Sequence, residues 1–434
     1  MTEDKRIAAA RAFLYGNRAA TIILFGLFAL GCGPERQPSA EHAGEPWASL
    51  RAMGDSLHRA AEVGEGADAA GSDRENADGG RYLAEVLLLQ AGREIFADPD
   101  FPAFRPQYPE SSHTGLFNPD NLYESARIRP GVEYLVRGTR GNTADLVFQV
   151  YEGYPGVKGS LKGLSTLSAD KLRVAEDGRF EIRVGPTPSD GNWLDSGKTG
   201  GLLLVRWSHS DWETERAGRL EIVRVGGEGQ PRPSPQVADV AKSIRAAGDA
   251  VPDAGQFWLD FVDRIRFFSG DNDVMAPRAT GDQGLEGQVS AMGRWKLEDD
   301  EALVLTIPKV QARYQGVQLG NFWFDALDWA GRQTSLSGGQ SRLGGDGRYH
   351  YVISARDPGV PNWLDTTGLP EGLFFIRFQG LAADVPEAEY PKAQRVKTSE
   401  VRRHLPGDTP LIDGNARRAQ LAARQIQIQR RFGR

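Results

Sequence analysis

Two tryptophan-containing segments hold the residues best suited to bind a ligand. The tetrapeptide Asn-Trp-Leu-Asp occurs at 192–195 and recurs letter for letter at 362–365. A tryptophan ring is a flat platform for a sugar or another ring, and Asn and Asp add directional hydrogen bonds. The same residues could instead be structural, with each Trp filling a core and each Asn or Asp forming a turn. The candidates for either role are Asn192, Trp193, Asp195, Asn362, Trp363 and Asp365.

Each segment is followed by an apolar run that contains one arginine. Leu-Leu-Leu-Val-Arg-Trp includes Arg206, and Leu-Phe-Phe-Ile-Arg-Phe includes Arg377. A charge inside an apolar strand costs free energy unless it is paired. We expect Asp195 and Asp365 to be the partners, because a bidentate carboxylate–guanidinium pair would tie each loop to its strand. Arginines that face solvent are the alternative.

The match between the two segments extends to their flanks. An Asp-Gly pair precedes each segment at nearly the same offset, at 177–178 and at 346–347. Glycine there supplies the positive φ of a tight turn between strands. Because both flanks stay in register, the sequence predicts two copies of one β-unit, 170 residues apart (362 minus 192).

Other chemistry has little support in the sequence. The six histidines are scattered, with no two at metal-ligand spacing. Phosphate-loop, dinucleotide-binding and nucleophile-elbow motifs are absent, so we expect no metal and no cofactor. The net charge of −6 argues against a nucleic-acid partner. The 58 acidic residues still allow a carboxylate pair for glycoside hydrolysis.

The N-terminal residues have the pattern of a secretion leader. Basic residues precede an apolar run, and Ala29-Leu30-Gly31 leads into Cys32, the only cysteine. This order resembles the lipobox of bacterial lipoproteins, which implies cleavage before Cys32 and its lipidation. Gly33 after the cysteine resembles the sorting pattern of the outer membrane. An ordinary secreted protein and an uncleaved anchor are the alternatives, although the apolar run is short for a bilayer of about 30 Å.

The rest of the chain favours strands joined by turns, with 52 glycines, 25 prolines and many short apolar runs. We predict a mainly β fold of two repeated β-sandwich-like units with helical N-terminal, linker and C-terminal additions. The predicted segments are a signal peptide at 1–31, a tether at 32–46, a helical region at 47–116, the first β-unit at 117–226, a linker with helices at 227–268, the second β-unit at 269–400 and a basic tail at 401–434.

The linker and the tail carry helical periodicity. The linker predicts two helices, one at 237–247 and one with an aromatic face at 257–268. From residue 411 onward the tail has a basic side and a modest apolar side. Such a helix could lie on an anionic membrane surface. The alternative is a terminal helix that is solvated or docks on the protein core.

Several segments together resemble bacterial proteins that carry the domain of unknown function 1214. The resemblance covers roughly residues 80 to 390, and it implies a pair of β-sandwich-like domains. It brings no known activity and no catalytic residues. The segments that carry it are 80–83, 98–102, Asn118–Tyr123, Gly191–Trp207 and Asp357–Thr366.

These observations favour a lipid-anchored protein of the cell envelope, on the periplasmic face of the outer membrane. We expect a binding or scaffolding module of unknown ligand, for which a small molecule or a carbohydrate is a candidate. The alternative is an enzyme that acts on envelope carbohydrate or another small molecule in a cleft between the β-units. Exposure of Trp193 and Trp363 in a concavity would favour their role in binding, and burial would favour the structural role.

Overall fold

A computed structural model describes residues 46–107, 113–154, 157, 162–281 and 284–432. The predicted signal peptide, Cys32 and all but the last residue of the predicted tether lie outside these ranges. Within them, no helix combines the length and the apolar character needed to span a membrane. The helices are α1 (Pro46–Glu65), α2 (Asp73–Glu94), α3 (Val237–Phe268) and α4 (Gly414–Phe432), with short 3₁₀ helices at Glu387–Glu389 and Thr398–His404.

Strands make up most of the remaining regular structure. The first group consists of β1 (Arg105–Pro106), β2 (Asn121–Arg127), β3 (Tyr134–Thr139), β4 (Asp145–Tyr151), β5 (Gly163–Ser168), β6 (Arg179–Gly185), β7 (Trp193–Asp195), β8 (Leu202–Ser208) and β9 (Leu220–Arg224). The second group consists of β10 (Asp273–Val274), β11 (Arg278–Ala279), β12 (Gln288–Lys296), β13 (Glu301–Pro308), β14 (Ala312–Gly320), β15 (Ser335–Ser337), β16 (Arg348–Ser354), β17 (Trp363–Asp365), β18 (Glu371–Leu381) and β19 (Lys392–Lys397).

Each group of strands forms one large and one small sheet. The large sheets have the orders β1-β2-β8-β4-β5 and β10-β12-β18-β14-β15, and β11 also pairs with β12. The small sheets have the orders β7-β6-β3-β9 and β17-β16-β13-β19. Strands β2 to β9 therefore occupy the same places in their sheets as β12 to β19. The prediction of a mainly β fold with sandwich-like units is confirmed.

A hydrophobic core lies between the two sheets of each unit. In the first unit, Phe148 and Trp207 of the large sheet join Ile182 of the small sheet. In the second unit, the corresponding core includes Phe378 of the large sheet and Tyr351 of the small one. Because side chains alternate along a strand, only every second residue of β8 and β18 enters these cores. The intervening residues point to the other face of each large sheet.

A third core joins helices α2 and α3 to the second unit. Tyr82 of α2 and Val251 and Leu259 of α3 pack with Trp323 and Phe375. The sequence predicted two linker helices, but the structure has one helix, α3, that continues through Pro252. Apolar residues are buried on both sides of this proline, and their packing offsets the hydrogen bond that proline cannot donate. The described residues from 46 to 432 form one compact unit with its own cores, as expected of a chain segment that folds on its own.

Helix α4 docks on the protein through three buried arginines. Arg417, Arg424 and Arg431 are spaced seven residues apart, which is close to two helical turns, so they share one face. Arg417 forms an ion pair with Asp357, with an Nε–Oδ2 distance of 2.8 Å. Arg431 donates to the Pro119 carbonyl oxygen at 2.6 Å. The structure therefore agrees with a tail helix that docks on the protein core.

Arg424 makes three hydrogen bonds to the body of the protein, all to neutral acceptors. It donates to the carbonyl oxygens of Trp329 at 2.6 Å and Ser335 at 3.1 Å, and to Ser335 Oγ at 2.7 Å. Its guanidinium carbon lies 4.3 Å from the centre of the Trp212 ring. Burial lowers the pKa of Arg424 to about 10, so the group is still charged at neutral pH. Neutral acceptors and an aromatic face hold this charge.

We predict that Arg424→Ala lowers the free energy of unfolding by about 3 kcal/mol, because three buried acceptors lose their donor. Arg418→Ala is the matched control, since Arg418 is exposed on the same helix and its loss should cost less than about 0.5 kcal/mol. Urea unfolding of a chain that begins at residue 43 measures both values. Equal, small losses for the two variants would contradict the docked arrangement of α4.

Candidate functional site

The repeated tetrapeptides occupy edge strands of the small sheets. Trp193 lies in β7 and Trp363 in β17, each paired in parallel with its neighbour. The Trp193 indole nitrogen donates to the Gly185 carbonyl oxygen at 3.1 Å, and the Trp363 nitrogen donates to that of Ser354 at 3.1 Å. Trp193 is half-buried and Trp363 is buried, and the Arg417 guanidinium lies 5.0 Å from the centre of the Trp363 ring. The Trp363 ring is therefore covered rather than presented to a ligand.

The two asparagines of the tetrapeptides make the same contacts in both units. Asn192 accepts from the Arg173 backbone nitrogen at 2.8 Å and donates to the Arg173 carbonyl oxygen at 2.8 Å. Asn362 makes both bonds with the backbone of Arg342, again at 2.8 Å. Each side chain therefore fastens a loop about 20 residues upstream to its edge strand. These contacts favour the structural role of the tetrapeptides.

The prediction that the tetrapeptide aspartates form ion pairs with the strand arginines is wrong. Asp195 accepts from the Gly197 nitrogen at 2.6 Å. Asp365 accepts from the Thr367 nitrogen at 2.7 Å and from Arg332 Nη1 at 2.9 Å. The aspartates belong to the small sheets. Arg206 and Arg377 belong to the large sheets, on the face that points away from the sandwich core.

Arg206 and Arg377 lie instead where the two large sheets face each other. Polar contacts cross this seam between the units: Ser208 Oγ donates to Gln379 Oε1 at 2.9 Å. In addition, Arg313 Nε lies 2.8 Å from Asp145 Oδ1. Every second side chain of β8 and β18 lies outside the sandwich cores, and these side chains point into this seam. The arginines are therefore buried, with 7% and 8% of their surface exposed.

The two arginines are held by neutral partners, one of which is a glutamine at an equivalent position in each unit. Arg206 donates to Gln149 Oε1 at 3.0 Å and to the Tyr151 hydroxyl at 2.9 Å. Arg377 donates to Gln318 Oε1, and to the Leu116 carbonyl oxygen at 2.9 Å. Gln149 and Gln318 lie in β4 and β14, opposite the residue two positions before each arginine. Each unit thus supplies one arginine, oriented by a glutamine at the same register.

A cavity of about 410 Å³ adjoins both arginines. Strands of both units and helices α2 and α3 enclose it, so residues far apart in sequence form its walls. These walls are mainly apolar and aromatic. They include Leu204 from the first unit, Met292 and Phe375 from the second, and Trp258 and Phe261 from α3.

The charged residues that line this cavity are all basic within the described part of the chain. They are Arg93, Arg206, Arg278 and Arg377, and the described lining contains no Asp, Glu or His. Burial lowers the pKa of Arg377, and Tyr123, Tyr314 and Asp120 oppose this effect. An arginine remains protonated under such conditions, so the cavity carries positive charge at neutral pH.

Asp120 is the carboxylate that acts on Arg377, but it is bonded to other groups. The Tyr314 hydroxyl donates to it at 2.6 Å and the Trp212 indole nitrogen at 2.9 Å. Burial raises the pKa of Asp120, while Arg431 and Arg424 act in the opposite direction. Asp120 thus acts on several arginines, while its own hydrogen bonds come from Tyr314 and Trp212.

The buried histidines outside the cavity have structural partners. The Glu85 carboxylate accepts from the backbone nitrogen of His113 at 2.6 Å and from its Nδ1 at 3.0 Å. Burial lowers the pKa of His209 to about 3, so this ring is neutral. Across the residues described, no cluster of three His, Cys, Asp or Glu side chains could hold a metal ion.

Sequence reasoning identified Arg206 and Arg377 but missed the cavity that they line. The feature of the sequence that identified these two arginines was a charge inside an apolar run. The wall residues of α3 carried no separate signal, because an aromatic helical face equally predicts a core. Arg93 lies in the predicted helical region at 47–116, where an arginine is ordinary.

Comparisons with known proteins find a similar fold but assign no function. No protein-family model matches the chain, so the resemblance to domain of unknown function 1214 is not confirmed. No curated protein matches either. The structure is similar to that of an uncharacterised protein from Burkholderia cenocepacia, at 29% identity and a TM-score of 0.75, over 83% of this chain and 99% of that one. A Vibrio parahaemolyticus protein matches at 12% identity with a TM-score of 0.43, over 73% and 97%.

Proposed function

We propose that this chain is a lipid-anchored protein on the periplasmic face of the outer membrane, and that it binds a small molecule in the cavity between its two β-units. The observation that carries the proposal of binding is the cavity itself, with apolar walls and two buried arginines. The leader pattern that ends at Cys32 supports the envelope location.

The size and position of the cavity support a role in binding. Its volume of about 410 Å³ falls within the range of about 300 to 1,000 Å³ that is usual for small-molecule sites. Such sites occur preferentially between structural units, and their walls are apolar with a few fixed polar groups. Arg206 and Arg377 are polar groups of this kind, since hydrogen bonds to glutamine side chains orient both.

The same walls weigh against the alternative of an enzyme that cleaves carbohydrate. Most glycoside hydrolases need two carboxyl groups across the scissile bond, one as acid and one as base or nucleophile. The lining of the cavity has no carboxylate among the residues that the structure describes. A binding module is therefore the better supported function.

We predict that filling the cavity abolishes the binding of a neutral apolar probe such as N-phenyl-1-naphthylamine. Ser125 lines the cavity and is half-buried, so Ser125→Trp places an indole in the space that the probe needs. Probe fluorescence with a chain that begins at residue 43 should show affinity weakened by at least about tenfold. Ser234→Trp, at an exposed position, is the matched control. Equal affinity for the two variants would exclude this cavity as the site.

We predict that Cys32→Ser releases the protein from membranes, because the acyl chains would have no attachment point. The full-length chain is expressed in a bacterial host, and membrane and periplasmic fractions are compared, with mass spectrometry of the N-terminus. Ser39→Ala, in the predicted tether, should remain membrane-bound as a control. If the Cys32→Ser chain remains in the membrane with its leader intact, the lipoprotein proposal is wrong.

A further inference from the structure

We propose that the ligand of this cavity is an anionic amphiphile, whose acidic head group is bound by Arg206 and Arg377 and whose apolar body lies along the walls formed by α3 and the two large sheets. This inference rests on the proposed function, because it names the class of molecule that the same cavity would bind.

Charge balance is the first reason. Arg206 and Arg377 are buried and donate to a glutamine, a tyrosine hydroxyl and a backbone carbonyl, all of which are neutral. Desolvated cations of this kind are strongly favoured by a nearby anion. The described lining adds Arg93 and Arg278 and no acidic residue. A cationic ligand would be repelled, and a neutral ligand would leave the charges unbalanced.

The matching geometry of the two units is the second reason. Arg206 and Arg377 lie in equivalent strands, and each is held by a glutamine at the equivalent position of the adjacent strand. Both line one cavity, one from each side of the seam. A guanidinium presents its donors in a fixed fork that suits the oxygens of a carboxylate or phosphate. Two such groups held at the same cavity can contact one head group from two sides.

The shape of the space is the third reason. A second cavity of about 400 Å³ adjoins the first, and Leu89, Arg93, Ser125 and Tyr154 line both. The first cavity has mainly apolar walls, and three arginines, Arg93, Arg105 and Arg127, line the second. Mainly apolar walls suit an alkyl chain better than a sugar, whose many hydroxyl groups each need a partner.

The test measures the affinity of four ligands that share a ten-carbon chain, using isothermal titration calorimetry with the chain that begins at residue 43. The ligands are decanoate, decyl phosphate, 1-decanol and decyltrimethylammonium. We expect at least one of the two anions to bind at least about tenfold more tightly than the alcohol, and the ammonium to bind most weakly. Decanoate as the tighter anion would indicate a free fatty acid. Decyl phosphate as the tighter anion would indicate a phosphate head group, as in a phospholipid fragment.

Variants of the two arginines test where the head group of the ligand binds. Arg206→Gln and Arg377→Gln should each weaken binding of the preferred anion at least about tenfold, with less than about a twofold change for 1-decanol. Retained alcohol binding shows that each variant is folded. Arg179→Gln is the control, because the Arg179 side chain is 78% exposed on the small sheet. It should bind like the unchanged protein.

The results of these experiments distinguish a failure of this inference from a failure of the proposed function. If the alcohol binds as tightly as both anions, or if neither arginine variant changes anion affinity, the inference is overturned and the cavity remains a binding site. The Ser125→Trp variant tests the site itself, and it should weaken all bound members of the series equally. If the variant leaves anion binding unchanged, the anion binds elsewhere and the inference fails with the proposed function.

Discussion

Strands β8 and β18 are buried on both faces, and this double burial is the constraint on which the rest of the structure depends. One face of each strand fills the core of its own unit, with Trp207 and Phe378 as its largest side chains. The other faces meet at the seam between the units and present Arg206 and Arg377. A desolvated guanidinium is costly, so glutamines, a tyrosine and a carbonyl oxygen must reach it from neighbouring elements. The architecture of the seam follows from this requirement.

Two buried arginines of helix α4 are also stabilised by neutral partners. Arg424 and Arg431 lie over one tryptophan, with guanidinium carbons 4.3 Å and 4.2 Å from the centre of the Trp212 ring. Their hydrogen bonds go to carbonyl oxygens and a hydroxyl group. Trp212 belongs to the first unit, whereas Ser335, which accepts from Arg424, belongs to the second. The helix therefore ties the two units together, and the Trp212 ring and neutral acceptors hold both charges.

The sequence predicted those features that depend on local pattern. Short apolar runs predicted the strands, and the Asp-Gly pairs predicted turns in which Gly178 and Gly347 have φ values of 81° and 77°. The partners of Arg206 and Arg377 could not be predicted in the same way. A continuous apolar run shows that a strand is buried on both faces, but it does not show which element covers the second face. Asp195 is close to Arg206 in sequence and yet lies in the other sheet, while the glutamine that holds this arginine is 57 residues away.

The central claim is that two buried arginines, one from each unit, form a receptor for an acidic head group. A crystal structure of the chain from residue 43, grown with the tighter-binding anion, tests this claim most directly. We expect head-group oxygens within about 3.2 Å of the guanidinium nitrogens of Arg206 and Arg377. We also expect the alkyl chain to lie against Trp258 and Phe375. An anion found with its head group in solvent, or outside the seam between the two units, would contradict it.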